Sequence, residues 1–107
     1  MEDCIFCKIS QGVVKTDFLY EDEDCVVFKD IHPKAKTHLL IVSKKHIDSV
    51  MEANEQDEEL LGKLVFCSKK IAKKLNISAF NLQINVGKEA GQEIPHIHIH
   101  LMSNFAQ

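Results

Sequence analysis

PHIHIHLM, residues 95–102, sets three of the chain's six histidines on alternate positions, His96, His98 and His100, and fills the gaps with Ile97, Ile99 and Leu101. A period of two is that of an extended strand, whose successive side chains point to opposite faces. The segment therefore reads as part of a strand from Ile94 to Ser103, with an apolar face turned to a core and an imidazole face lining a surface. Three imidazoles in a row suggest zinc. However, nitrogens bound to one zinc lie within about 4 Å of one another, while same-face neighbours on a strand are ~6.6 Å apart and the outer pair ~13 Å. The spacing argues against a three-histidine zinc site and fits a central imidazole that attacks while its neighbours orient it and bind an anionic substrate. Crowded imidazoles also disfavour one another's protonation, which keeps such a nucleophile neutral near pH 7.

The remaining elements follow from the same kind of pattern. Residues 4–10 predict a short helix ended by Gly12, and Phe18–Glu21 and Cys25–Lys29 predict a hairpin around the acidic turn DED. THLLIVS, from Thr37, is rich in β-branched and aliphatic residues and follows the Pro33-containing loop HPKAK, so it reads as a central strand. A long helix is predicted from Asn54, with Glu55, Asp57, Glu58 and Glu59 near its positive end and Lys69, Lys70, Lys73 and Lys74 near its negative end. Leu60, Leu61, Leu64, Cys67, Ile71 and Leu75 give that helix one apolar stripe, and the lysines read as a solvated face. Strands at Ala79–Asn85 and Ile94–Ser103, separated by the loop VGKEAGQE, complete an α+β fold. It comprises a five-stranded, mainly antiparallel sheet, one long helix and a short N-terminal helix.

With 107 residues, 45% apolar, and no repeat, low-complexity tract or linker, the chain reads as one domain over 1–107 with a small core that an oligomer would extend. A formal charge of −3 does not favour a basic grip on nucleic acid; a small molecule or protein fits better. The opening MEDCIFCKIS lacks a basic segment followed by an apolar run, and no stretch approaches the ~18 apolar residues of a membrane span, so a cytosolic, cytoplasmic protein is expected. In a reducing compartment the four cysteines are buried thiols or metal ligands rather than a disulfide framework. Cys25 and Cys67, among apolar neighbours, read as buried structural thiols.

PHIHIHLM also matches the His-x-His-x-His-x-x signature, x apolar, of the histidine triad nucleotide-binding proteins. The match extends to FKDIHPKAKTHLLIVSKKHI, LQINVG and GQEIPHIHIH, covering most of residues 4–102, and the chain most resembles the purine nucleoside phosphoramidase branch. The resemblance implies a homodimer in which two sheets join into ten strands with the long helices at the interface. It implies that His98 attacks the α-phosphate of a nucleoside monophosphate ester or amide, giving a nucleotidyl-histidine that water cleaves. His100 and His38 would bind phosphoryl oxygens or hold the nucleophile's orientation. Asp30 would accept hydrogen bonds from the ribose hydroxyls, and Ile31 would wall the base. Asn85 would contact the phosphate side. Gly91 and Gln92 would bring backbone close to phosphate, and Glu93 and Ile94 would complete the nucleotide-binding segment.

Glu93 stands where animal phosphoramidases carry serine, which bears on the leaving group, and the short tail SNFAQ leads to an expectation of different substrate breadth. His100 favours a hydrolase over the nucleotidyl-transferase branch, where glutamine is typical. The resemblance further implies that Cys4 and Cys7, spaced C-x-x-C, close a structural zinc site with His46 and His96, pinning the N-terminal segment and leaving His98 free. The expected substrates are nucleoside phosphoramidates or aminoacyl-adenylates. The alternatives are a dinucleoside polyphosphate hydrolase and a catalytically weak zinc- and nucleotide-binding interaction module.

Overall fold

The computed structural model describes residues 3–105. Its elements are α1 (Ile5–Ser10), β1 (Tyr20–Glu21), β2 (Cys25–Lys29), β3 (Thr37–Ser43), α2 (Glu58–Leu75), β4 (Asn81–Gln83) and β5 (His98–Ser103). The strands form one antiparallel sheet in the order β1-β2-β3-β5-β4. The α+β fold expected from the sequence, with its long helix and short N-terminal helix, is the fold observed.

Register decides which residues meet. β3 pairs with β5 so that Leu40 lies opposite His100 and Val42 opposite His98, while β2 places Phe28 beside Leu40 and Val26 beside Val42. Directly opposed residues share a face. Hence Val26, Phe28, Leu40, Val42, His98 and His100 stand on one side of the sheet, and Cys25, Val27, Leu39, Ile41, Ile99 and Leu101 on the other. The second set packs on Leu64, Cys67 and Ile71 of α2 in the larger core. Each fully buried aliphatic side chain there contributes about 1.5–3 kcal/mol. The first set is covered by Phe6, Cys7 and Ile9 of α1. The imidazole face is therefore not an open surface, as alternation alone suggested. His96 is 0% and His98 8% exposed beneath α1.

Three predicted strands are shorter in the molecule. β5 begins at His98 rather than Ile94 because Pro95 has no N–H and His96 N–H turns back to the Ile94 carbonyl at 2.8 Å. Ile97 N–H then donates to Ile47 rather than to a ladder partner. β1 and β4 lie at the sheet edges, where pairing on one side only sustains two and three residues. α2 is preceded by a tight turn at Glu55–Asp57, in which the Asp57 carboxylate accepts from Asn54 N–H at 2.9 Å and from Lys45 Nζ at 2.6 Å. Asn76 ends the helix in the left-handed region at φ 58°, a conformation asparagine tolerates. Cys25 and Cys67 are buried thiols with Sγ atoms 3.4 Å apart, joining β2 to α2.

Candidate active site

Hydrogen bonds assign the protons on the central histidines. His98 Nδ1 lies 2.7 Å from the His96 carbonyl, which can only accept, so Nδ1 carries the proton. Burial lowers the His98 pKa, so the ring is neutral and Nε2 is its free nucleophilic nitrogen. A second chain of bonds starts at Lys34, whose backbone N–H donates to His38 Nδ1 at 3.0 Å. His38 must then be protonated at Nε2, which lies 2.9 Å from His100 Nδ1 and 3.3 Å from Asp30 Oδ2. His100 accepts at Nδ1. Burial, then the neighbouring His98 and His38, lower its pKa, which leaves a neutral ring with its proton on Nε2. The rings of His98 and His100 are 5.1 Å apart. One imidazole thus offers a lone pair and its neighbour an N–H.

Both rings line a cavity of about 530 Å³, within the range of small-molecule sites. Asp30, Ile31, Asn85, Gly91, Glu93 and Ile94 line it as well, as the sequence implied. The Asp30 carboxylate is held by His32 N–H at 2.8 Å in a local turn. Asn85 accepts from Gln83 Nε2 at 2.9 Å and approaches the Gly91 carbonyl at 3.4 Å. Gly91 has φ +96°, a region that excludes most side chains.

Two implied residues sit differently. His38 is 4% exposed and stands behind His100, off the cavity lining, because β3 pairs it with Met102 rather than with His100. The Gln92 side chain turns away, accepting from Gly87 N–H and donating to the Asp48 and Ile94 carbonyls at 2.6 and 3.0 Å. It shapes the loop, and only its backbone is available to a ligand. Sequence reasoning missed the opposite wall, formed by Ile5, Phe6 and Ile9 with Phe28 and Leu40, and Lys34 at the rim. The signal for that wall was the apolar face of α1, between two cysteines that tie it to the sheet.

The third histidine of the row belongs elsewhere. His96 Nδ1 lies 3.2 Å from Cys4 Sγ and 3.5 Å from Cys7 Sγ, and His46 Nδ1 lies 3.1 Å from Cys7 Sγ. All four donor atoms fall within 4.8 Å of one another. Tetrahedral zinc with these ligand types separates its donors by roughly 3.3–3.8 Å. The tautomers suit a metal too: His96 Nε2 faces the Ser43 carbonyl at 2.7 Å and His46 Nε2 faces Asp48 Oδ1 at 2.7 Å, so each ring turns Nδ1 to the thiols. Burial, and then Cys4, push the Cys7 thiol up to about 11, so a metal there must displace its proton. These residues fit a tetrahedral ion such as zinc.

An antiparallel sheet with an alternating histidine row on an inner strand, set against a nucleotide-sized cavity, defines the class of protein, and comparison with known sequences and structures gives its family. A family model described as scavenger mRNA decapping enzyme C-term binding matches residues 3–107. Protein HitA of Neisseria gonorrhoeae is 44% identical over 103 residues, 95% of this chain and 96% of its own length. The crystal structure of a HIT family hydrolase from Legionella pneumophila Philadelphia 1 superposes with a TM-score of 0.90 at 40% identity, covering 97% of this chain and 95% of that one. A histidine triad protein from Clostridium difficile gives 0.92 at 33% identity, covering 100% and 95%. The chain belongs to the histidine triad family.

Proposed function

We propose that the protein is a nucleotide-binding hydrolase of the purine nucleoside phosphoramidase type, acting on nucleoside phosphoramidates or aminoacyl-adenylates. The observation that carries this reading is the neutral His98 ring, its Nδ1–H committed to the His96 carbonyl and its Nε2 free on a ring that lines the cavity. His98 Nε2 attacks the α-phosphorus as the phosphorus–nitrogen or phosphorus–oxygen bond to the leaving group breaks. The positive charge that develops on the ring is stabilised by the His96 carbonyl. His100 Nε2–H meets the charge growing on the phosphoryl oxygens, the interaction on which phosphoryl transfer chiefly depends. Water then attacks phosphorus and frees His98 with release of a nucleoside monophosphate.

Asp30 accepts from the ribose hydroxyls, Ile31 with the α1 residues encloses the base, and Asn85, Gly91 and the Gln92 backbone adjoin the phosphate. Glu93 and Ile94 stand at the leaving-group side. The hydrolase names carried by structural relatives support the reaction class. Cys4, Cys7, His46 and His96 would hold zinc, which supplies no chemistry at phosphorus and fixes α1 to the sheet. We further propose one histidine triad domain over 1–107, working in the cytoplasm as a homodimer with a ten-stranded sheet. In support of the dimer, α2 exposes Val65 and Phe66 and edge strand β4 exposes Leu82, with Ile84 just beyond it. No described helix is long and apolar enough to cross a membrane.

A panel of adenosine and guanosine phosphoramidates, aminoacyl-adenylates and dinucleoside polyphosphates tests the function. Release of a nucleoside monophosphate from the first two classes is the expected result. Nucleotide binding with no turnover of any member would overturn it.

A further inference from the structure

Helix α1 belongs to two sites at once. Its capping residue Cys4 and its Cys7 supply half of the four-donor cluster, while Ile5, Phe6 and Ile9 form the apolar wall of the cavity. Phe6 joins the two: it is 5% exposed, with its ring edge-on to His96 at 5.9 Å and to His98 at 5.0 Å. A second connection runs through the backbone. His96 turns its ring to the cysteines and its carbonyl to His98 Nδ1, so one residue serves both the cluster and the nucleophile.

Six residues are far fewer than the ~12–15 at which an isolated helix becomes even marginal, so α1 depends on what holds it to the sheet. Apolar packing on Val26, Phe28, Leu40 and Val42 is one hold. The cluster is the other, because its histidines lie outside α1, His46 just after β3 and His96 just before β5.

We propose that metal loading of Cys4, Cys7, His46 and His96 controls nucleotide binding in the neighbouring cavity. When both thiols exchange their protons for the ion, α1 is held as the cavity wall and the His96 carbonyl is held against His98. When the ion leaves, the wall loosens and nucleotide affinity falls. The proposal rests on the nucleotide-hydrolase reading and departs from the sequence expectation that zinc leaves the catalytic residue untouched.

The test uses the full chain, zinc-loaded, then stripped with chelator under reducing conditions, then reloaded with zinc chloride alone. Metal content, calorimetric affinity for adenosine monophosphate and amide hydrogen exchange are measured on each form. One zinc per chain is expected. The stripped form should bind the nucleotide about tenfold more weakly or worse, with faster exchange in residues 4–11 and unchanged protection in β3, β5 and α2, and one equivalent of zinc should restore both. Phe6→Leu, which keeps all four ligands, should take up one zinc yet bind nucleotide weakly. Equal affinity with and without zinc, failure to take up zinc, loss of protection in α2 along with α1, or unchanged affinity in Phe6→Leu would each overturn the proposal. Zinc-loaded protein that binds no nucleotide would overturn the functional reading with it, an outcome distinct from loaded and stripped forms that bind equally.

Discussion

His38 and His100 are both histidines beside the nucleophile, yet they should respond very differently to substitution. His100 lines the cavity, whereas His38 is buried behind it and reaches the site only through its Nε2–H at 2.9 Å from His100 Nδ1. Removing a donor that touches the phosphoryl group costs about 2.7–4 kcal/mol, or 10²–10³ in rate, and His100→Leu is expected to show that loss. Removing His38 deletes one neutral hydrogen bond, with a net value of about 0.5–1.5 kcal/mol, or ~2- to 12-fold. His38→Leu should therefore lower the single-turnover rate on a nucleoside phosphoramidate by about tenfold, and nucleoside monophosphate affinity should stay within about threefold of the parent's. His38→Gln, whose amide N–H can replace Nε2–H, should recover much of the rate. Nitrogen chemical shifts of His100 supply a readout that plain destabilisation would not move: its Nε2–H tautomer should dominate in the parent and lose that dominance in His38→Leu. A 10²–10³-fold loss in His38→Leu with the His100 tautomer unchanged would refute the positioning role.

His98→Asn is expected to abolish turnover while still binding nucleoside monophosphate. Intact mass of the quenched parent at neutral or alkaline pH should show a nucleotide-sized adduct on the peptide bearing His98, and an adduct elsewhere would remove the covalent mechanism. Burial lowers the pKa of His98 and His100, so the folded state binds fewer protons than the unfolded chain just below the ordinary histidine value of about 6.5. Stability should be fully present above that pH and fall as pH drops through it, by about 1.4 kcal/mol per unit for each ring; a flat denaturant midpoint between pH 7.5 and 5.5 would contradict this. Gly91→Ala forces a side chain into φ +96° and should destabilise the 87–93 loop by about 1–2 kcal/mol, seen as weaker nucleotide binding with an unchanged fold. Sedimentation at micromolar concentration should give a dimer, and Phe66→Glu on the exposed α2 face should shift it to monomer.

β3, β5 and α2 were legible because each carries a long, consistent period: THLLIVS for a buried strand, the His/Ile alternation for a two-faced one, and the leucine-rich stripe for a helix. The ends of β5 and β4 were not, since Pro95 interrupts pairing locally and an edge strand ends where its single neighbour stops supporting it. The cavity residues Asp30, Asn85, Gly91 and Glu93 could be named through the family motif. The withdrawal of His38 behind His100 could not, because it depends on pairing His38 with Met102, a fact of register. The wall from α1 was hidden for a similar reason. Cys4 and His96 are 92 positions apart, and no local period signals their contact.

The outer edge of β4 also bears on handling. Asn81, Leu82, Gln83 and Ile84 carry no charge and no proline, the two devices that usually stop one sheet from adding to another, and all four are exposed. A protomer diluted or mutated away from whatever covers this edge presents bare strand hydrogen-bonding groups flanked by aliphatic side chains, a template for aggregation. Leu82→Lys would place a charge on that edge, and a lower turbidity of dilute, warmed solutions is the gain to look for.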